Sequence, residues 1–224
     1  PLRTLAIVGY TNAGKSTLLN SMTGAQVLSE DKLFATLDPT SRKVRLPSGR
    51  TVVLTDTVGF IRKLPHRLVD AFKATLEEAL VADLLLHIVD LSNPEFAKQM
   101  ETTIEVLKEL GGADKEILTV YNKVDQVDDP VTKANAQNLV GECSFLSAKT
   151  GVGIEGLLEL IEKKLDEDEV ARDYLIPHEH YSLVSKLREQ GSLLAEEVVE
   201  TGVSVKAMPR GSLAYQIKEF LAPS

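Results

Sequence analysis

Tryptophan is absent from the 224 residues, and cysteine occurs once, at Cys143. A lone cysteine cannot close an internal disulfide, so an apolar core must hold the fold, with Cys143 as a buried structural thiol in a reducing compartment. No apolar run approaches bilayer-spanning length, which excludes a membrane-crossing helix within this sequence. Basic charge is also short: 25 Lys and Arg stand against 33 Asp and Glu, for a formal net charge of −8. Non-specific affinity for nucleic acid depends on basic clusters, so this balance argues against DNA and against strong stand-alone RNA binding, while a specific docked contact to RNA stays open. The chain opens at Pro1 directly on its first apolar stretch, without an initiator methionine, signal peptide or targeting region, and so reads as a piece of a longer protein. The remaining composition, 43% apolar and 26% charged, is that of an ordinary globular protein. Its length suits one large domain and a small appendage, expected to be cytoplasmic and monomeric, with no membrane partner.

The most informative stretch is Gly9-Tyr10-Thr11-Asn12-Ala13-Gly14-Lys15-Ser16, a G-x-x-x-x-G-K-S loop. Leu5-Ala6-Ile7-Val8 before it suits a buried strand, and residues 16–22 after it carry leucines at helical spacing, so the loop has the strand-turn-helix context a phosphate cradle requires. Glycines let successive backbone N–H groups turn inward around a polyphosphate, and the helix N-terminus adds its positive end. Lys15 can neutralise charge between the β- and γ-phosphates, and the Ser16 hydroxyl would hold Mg²⁺. Gly9, Asn12, Ala13, Gly14, Lys15, Ser16 and Thr17 are the nucleotide-binding candidates here.

Residues 27–40 form a polar, helix-poor connection of the length that is usually functional; in a nucleotide switch protein this position senses the γ-phosphate and Mg²⁺, with Thr36 and Thr40 as candidate hydroxyls. Residues 43–46 and 51–55 read as strands joined by the turn Pro47-Ser48-Gly49-Arg50, a β-hairpin. The second strand ends at Asp56-Thr57-Val58-Gly59, where an open α/β sheet places its ligands. Asp56 can hold Mg²⁺, through water, and Gly59 can bring its N–H close to a γ-phosphate. A second candidate loop at 60–65 leads into a helical stripe from His66 to about Ala82. Residues 83–89 read as a buried strand, and Pro94 opens the helix that ends at Gly111-Gly112. A further buried strand, 117–121, delivers Asn122-Lys123-Val124-Asp125 to the ligand-facing edge. A helix to about Leu139, a short strand at 144–146, the turn Ser147-Ala148-Lys149 and a helix at 154–165 complete an alternating, doubly wound, mostly parallel α/β domain, assigned to residues 1–170.

The acidic run Asp166-Glu167-Asp168-Glu169 marks the solvated helix end and a linker. Residues 171–224 read as a small α+β domain: helix 181–188, strands 193–199 and 203–208 turning at Thr201-Gly202, and helix 212–221. His178 and His180 have no third ligand nearby and take no role.

Asn-Lys-x-Asp after a buried strand suits guanine. The Asp125 carboxylate can accept from the ring N1–H and the exocyclic amine together, an arrangement adenine cannot match, so ATP is disfavoured. Asn122 would brace neighbouring loops, Lys123 would lay its stem along the base, and the Ala148 N–H would meet the guanine oxygen, within the Ser147-Ala148-Lys149 turn.

Together these elements resemble a translation-factor-class P-loop GTPase, and in detail the HflX family of ribosome-associated GTPases. The resemblance rests on the loop from Gly9 to Thr17, on Leu33-Phe34-Ala35-Thr36-Leu37-Asp38-Pro39-Thr40, and above all on Asp56-Thr57-Val58-Gly59-Phe60-Ile61-Arg62-Lys63-Leu64-Pro65-His66. It implies Mg²⁺-dependent binding of GTP and GDP and hydrolysis of GTP, with Lys15, Thr36, Gly59 and Asn12 at the reacting phosphate and Ser16, Thr36 and Asp56 around the metal. Phe60 stands where many GTPases carry a water-orienting glutamine, so slow intrinsic turnover is expected. Asn12 either braces the loop or, as in related GTPases with asparagine here, recruits K⁺ beside the phosphates. The resemblance further implies that the intact protein binds the large ribosomal subunit in its GTP form and splits or recycles stalled ribosomes, and that the family's N-terminal domain and helical linker are missing here. A signalling or scaffold GTPase acting on a protein effector unrelated to the ribosome is the alternative.

Overall fold

The computed structural model describes residues 2–10, 12–23, 41–57, 76–77, 79–167 and 169–223. The chain divides into two compact units, Pro1–Ala113 with Ile117–Glu162, and Asp114–Glu116 with Lys163–Ser224.

The first unit is an α/β layer structure around a six-stranded sheet. Its strands are β1 (Arg3–Gly9), β2 (Ser41–Arg45), β3 (Thr51–Asp56), β4 (Leu84–Asp90), β5 (Ile117–Asn122) and β6 (Cys143–Phe145), in the order β2-β3-β1-β4-β5-β6. β1 runs parallel to β3 and β4, and β5 parallel to β4 and β6; only β2 is antiparallel, as the hairpin partner of β3. Sequence explains the arrangement. β1 and β4 read RTLAIVG and LLLHIVD and are buried along almost their whole length, as strands covered on both faces must be. Helices α1 (Lys15–Thr23), α2 (Phe96–Glu109), α3 (Pro130–Val140) and α4 (Ile154–Glu167) alternate with the strands. On one sheet face Val8, Leu85 and Leu107 pack with Leu76, Ala79 and Ala82; beside them Val89, Met100, Tyr121 and Ala136 form a second cluster. Tyr121 donates its hydroxyl to the Ala136 carbonyl at 2.7 Å, tying α3 to the strand beneath it. His87 sits in the middle of β4, in register with Val8 of β1 and Thr119 of β5, and is 2% exposed.

Parallel strands bring their C-terminal ends to one edge. Gly9, Asp56, Asp90 and Asn122 each close a strand there, Asp90 directly beside Asn122.

The second unit carries β7 (Arg172–Ile176), β8 (Leu193–Val199) and β9 (Gly202–Ala207) as an antiparallel sheet ordered β7-β9-β8, with α5 (Tyr181–Glu189) and α6 (Ser212–Gln216). Its core includes Tyr174, Ile176, Val184, Leu187, Val205 and Ile217.

Three local expectations need correction. α2 starts at Phe96 rather than at Pro94, because Asp90 Oδ1 accepts from the Ser92 N–H at 3.0 Å and Asn93 Oδ1 from the Glu95 N–H at 2.9 Å, holding the chain in turns. β7 has no counterpart in the sequence analysis: only Tyr174 and Ile176 of RDYLI are buried, too short an alternation among charges to stand out. The helix expected over 212–221 stops at Gln216 and continues as a 3₁₀ turn, Lys218–Phe220, since the Ala222 N–H donates to the Asp173 carbonyl at 2.8 Å and draws the chain onto β7. The long helix expected before Ala82 lies largely outside the described residues.

Candidate nucleotide site

At the end of β1 the chain passes so close to β4 that a Cβ on Gly9 would stand 2.4 Å from the Ile88 carbonyl oxygen. Only glycine fits there. Gly14 has φ +98°, and a Cβ on it would lie 2.2 Å from Asn122 Nδ2. Asn12, on the loop between them, takes the left-handed conformation at φ 66°, which asparagine tolerates. The loop closes on the Ala13 N–H to Tyr10 carbonyl bond at 3.1 Å, and α1 begins at Lys15.

Lys15 is buried, its ammonium donating to the Tyr10 carbonyl at 3.2 Å. Burial pushes its pKa below the ordinary lysine value, and the Asp56 carboxylate works in the other direction. Ser16 donates its hydroxyl to Asp56 Oδ2 at 3.2 Å. Asp56 Oδ1 is buried and has no hydrogen-bond partner among the described residues. A buried carboxylate oxygen lacking a donor, beside a hydroxyl on the other oxygen, is a donor set that suits a hard cation such as Mg²⁺.

Asn122 is the joint between the loops. Its Nδ2 donates to the Ala13 carbonyl and its Oδ1 accepts from the Ala148 N–H, each at 2.9 Å, with the side chain buried. One amide thus fastens the phosphate loop to the end of β5 and to the turn after β6. The Ala148 N–H, expected to meet a base oxygen, is engaged by Asn122 in this structure. The Ala148 carbonyl accepts from the Ser21 hydroxyl of α1, a second tie between the same two segments. Ser147 is buried and its hydroxyl accepts from the Thr150 N–H at 3.2 Å, while Lys149 stays exposed.

Lys123 also adopts the left-handed conformation, φ 65°. Its ammonium donates to the Asn12 carbonyl at 2.8 Å and pairs with Asp90 at 2.9 Å. Asp125 follows in the 3₁₀ turn Val124–Gln126 with its side chain exposed, open to a ligand at the sheet edge. Asn12, Ser16 and Thr17 are likewise exposed. Thr36, Thr40, Gly59 and Phe60 lie outside the described residues.

Asp90, absent from the sequence-derived candidates, carries the same signal as Asp56: an acid closing a buried strand at the same edge. Ser92 donates through both its N–H and its hydroxyl to Asp90 Oδ1, leaving Oδ2 for Lys123.

A direct expectation concerns Gly14. Gly14→Ala places a methyl group where Asn122 Nδ2 now stands and strains a positive φ, so Asn122 must leave the Ala13 carbonyl or the loop must open. We expect about 1–3 kcal/mol lower stability and at least about tenfold weaker GDP binding. Thermal unfolding and titration with a fluorescent GDP analogue check this; an unchanged affinity would contradict it.

Comparison with known proteins agrees with this geometry. The model of the 50S ribosome-binding GTPase family matches residues 4–123. GTPase HflX of Caldanaerobacter subterraneus subsp. tengcongensis is 47% identical over 217 residues, which are 97% of this chain and 49% of the relative. GTPase HflX of Akkermansia muciniphila is 45% identical over 223 residues, 98% of this chain and 51% of the relative. The chain thus spans about half the length of the curated relatives it matches. Among solved structures, a GTP-binding protein from the hyperthermophilic archaeon Sulfolobus solfataricus in complex with GDP superposes with a TM-score of 0.58 at 30% identity, covering 72% of this chain and 51% of that one. The family match takes in the phosphate loop, Asp56 and Asn122, and the chain belongs to the 50S ribosome-binding GTPase family, within its HflX group.

Proposed function

We propose that this chain binds GTP and GDP with Mg²⁺ and hydrolyses GTP, and that the longer protein it represents associates with the large ribosomal subunit in the GTP form and separates stalled ribosomes. The observation that carries the nucleotide part is the Asn122 joint: one buried amide holds the phosphate loop and the guanine-facing loops in fixed relation. In this reading the loop from Gly9 to Thr17 cradles the phosphates, Lys15 leaves its Tyr10 carbonyl to neutralise them, and Ser16 and Asp56 hold Mg²⁺ with Thr36. The metal supplies charge stabilisation at the phosphates. Gly59 offers its N–H to the γ-phosphate, and Asp125 reads the guanine edge, with Lys123 and the Ser147-Ala148-Lys149 turn beside the base. Residues 1–170 form the G domain and 171–224 the small C-terminal domain. The ribosomal part is supported by the family to which the chain belongs, whose description is ribosome binding.

Asn12 supports an ion-assisted mechanism: its left-handed backbone places an exposed asparagine at the mouth of the loop. Turnover is therefore expected to be several-fold faster in K⁺ than in Na⁺ at equal ionic strength; equal rates would leave Asn12 as a brace and point to a partner as the source of catalysis.

The ribosomal assignment is tested by sedimenting the longer protein with large subunits in the presence of GDP or of a non-hydrolysable GTP analogue, alongside this chain. The longer protein should co-sediment only with the analogue, and the chain weakly. Absence of nucleotide-dependent association of the longer protein would defeat the ribosomal reading and leave the nucleotide chemistry standing.

A further inference from the structure

Among the described residues, two non-glycine residues carry a left-handed backbone: Asn12 in the phosphate loop and Lys123 at the end of β5. One hydrogen bond joins them, from the Lys123 ammonium to the Asn12 carbonyl at 2.8 Å. A left-handed backbone is least costly for asparagine and more so for lysine, and it persists only where the surroundings hold it. Asn122 grips the next carbonyl of the loop, that of Ala13, so two consecutive carbonyls are held by two consecutive residues after β5. A peptide plane points its N–H opposite to its C=O. Holding the Asn12 carbonyl therefore directs the Ala13 N–H, which donates to the Tyr10 carbonyl at 3.1 Å, and holding the Ala13 carbonyl directs the Gly14 N–H.

The two grips differ in strength. Asn122 is short and buried, and its amide is engaged at both ends. Lysine loses more rotamer freedom when it is fixed, and one neutral carbonyl is a modest restraint on it. Asp90 supplies the second restraint: its Oδ2 accepts from the same ammonium at 2.9 Å. The Lys123 and Asp90 side chains are 28% and 17% exposed, which shields the pair from much of the solvent that weakens surface ion pairs. Asp90 is itself aimed. Its Oδ1 takes the Ser92 N–H at 3.0 Å and the Ser92 hydroxyl at 2.5 Å, and the register of β4 with β5 sets Asp90 beside Asn122.

We propose that Asp90 is a positioning residue for nucleotide binding: aimed by Ser92, it holds the Lys123 ammonium on the Asn12 carbonyl, keeps the phosphate loop in its binding shape and so slows release of the bound nucleotide. The inference rests on the guanine-nucleotide reading above. Asp90 acts through Lys123 and touches no nucleotide. A carboxylate that only closed the turn before α2 would need Ser92 and not Lys123.

The test uses the chain as it is. Release of a fluorescent GDP analogue, chased with unlabelled GDP in the presence of Mg²⁺, is timed for the parent, Asp90→Asn, Lys123→Met and the double variant. Asparagine keeps an oxygen for Ser92 and removes the charge that holds Lys123. Release should be about tenfold faster in Asp90→Asn, with association within about twofold of the parent. On the Lys123→Met background the same change should alter release by less than about twofold, because the group it acts on is gone. Ser92→Ala, which removes one of the two donors aiming the carboxylate, should speed release by about threefold. Without nucleotide, the Ala13 amide should exchange faster in Asp90→Asn than in the parent. A thermal midpoint close to that of the parent shows that each variant is folded. Release from Asp90→Asn at the parent rate would overturn the proposal. Equal acceleration with and without Lys123 would also overturn it, and would assign Asp90 to the turn before α2. Both outcomes leave the nucleotide reading standing, whereas a folded parent chain that takes up no GDP would overturn that reading and this inference with it.

Discussion

Asp125→Asn is expected to lower affinity for GDP by about 10²–10⁴ and to create measurable affinity for the xanthine nucleotide. Two charge-assisted hydrogen bonds from the guanine N1–H and exocyclic amine to one carboxylate contribute roughly 1.5–3 kcal/mol each, and an amide keeps at most one acceptor for them. Xanthine carries an oxygen in place of the amine, so the asparagine N–H₂ can donate where the carboxylate was repelled. The change falls on an exposed side chain in a 3₁₀ turn, so stability should move by less than about 0.5 kcal/mol. Affinity and stability therefore separate: a variant that binds GDP as tightly as the parent would show that the base is read elsewhere.

The second large effect is acid sensitivity set by His87. Full burial pushes this imidazole down to about 4 from its usual 6.5, and its Nδ1 has no hydrogen-bond partner among the described residues. Between those two values the unfolded chain takes up a proton that the native sheet refuses. Stability is therefore intact above pH 6.5, declines as the pH falls from 6.5 towards 4, and is then about 3 kcal/mol lower, with no further loss from this group once both states are protonated. His87→Leu, which fills the same apolar site between Val8 and Thr119 without a titrating nitrogen, should flatten this part of the profile and be the more stable protein at pH 5. Denaturant unfolding of both proteins across this range isolates the term, because every carboxylate is common to them. Parallel profiles would show that His87 is protonated in place at no cost.

Much of the fold was legible because the first unit obeys strong local rules. Continuous apolar runs such as LAIVG and LLLHIV, short and bounded by turn signals, suit strands buried on both faces, and Gly-x-x-x-x-Gly-Lys-Ser after one of them fixes the turn that follows. What escaped was decided by tertiary partners. β7 holds its place through alternate residues Tyr174 and Ile176 and through a chain end almost fifty residues away, information that no window of the sequence contains. The delayed start of α2 depends on the side chains of Asp90 and Asn93 capturing backbone N–H groups, a competition that periodicity does not register. Residue types and order alone single out Lys15, Ser16, Asp56, Asn122 and Asp125 as candidates. Yet the two roles of Asn122, and the way Asp90 holds Lys123 against the Asn12 carbonyl, appear only when three strand ends are brought together.

We propose that the loops meeting at Asn122 form a guanine-nucleotide site within this chain. Calorimetric titration with GDP and, separately, ADP, each with Mg²⁺, tests it most directly. Saturable binding of one GDP per chain is expected, with no detectable heat with ADP at the same concentrations. Equal binding of the two nucleotides, or no binding of GDP by a chain shown to be folded, would contradict it.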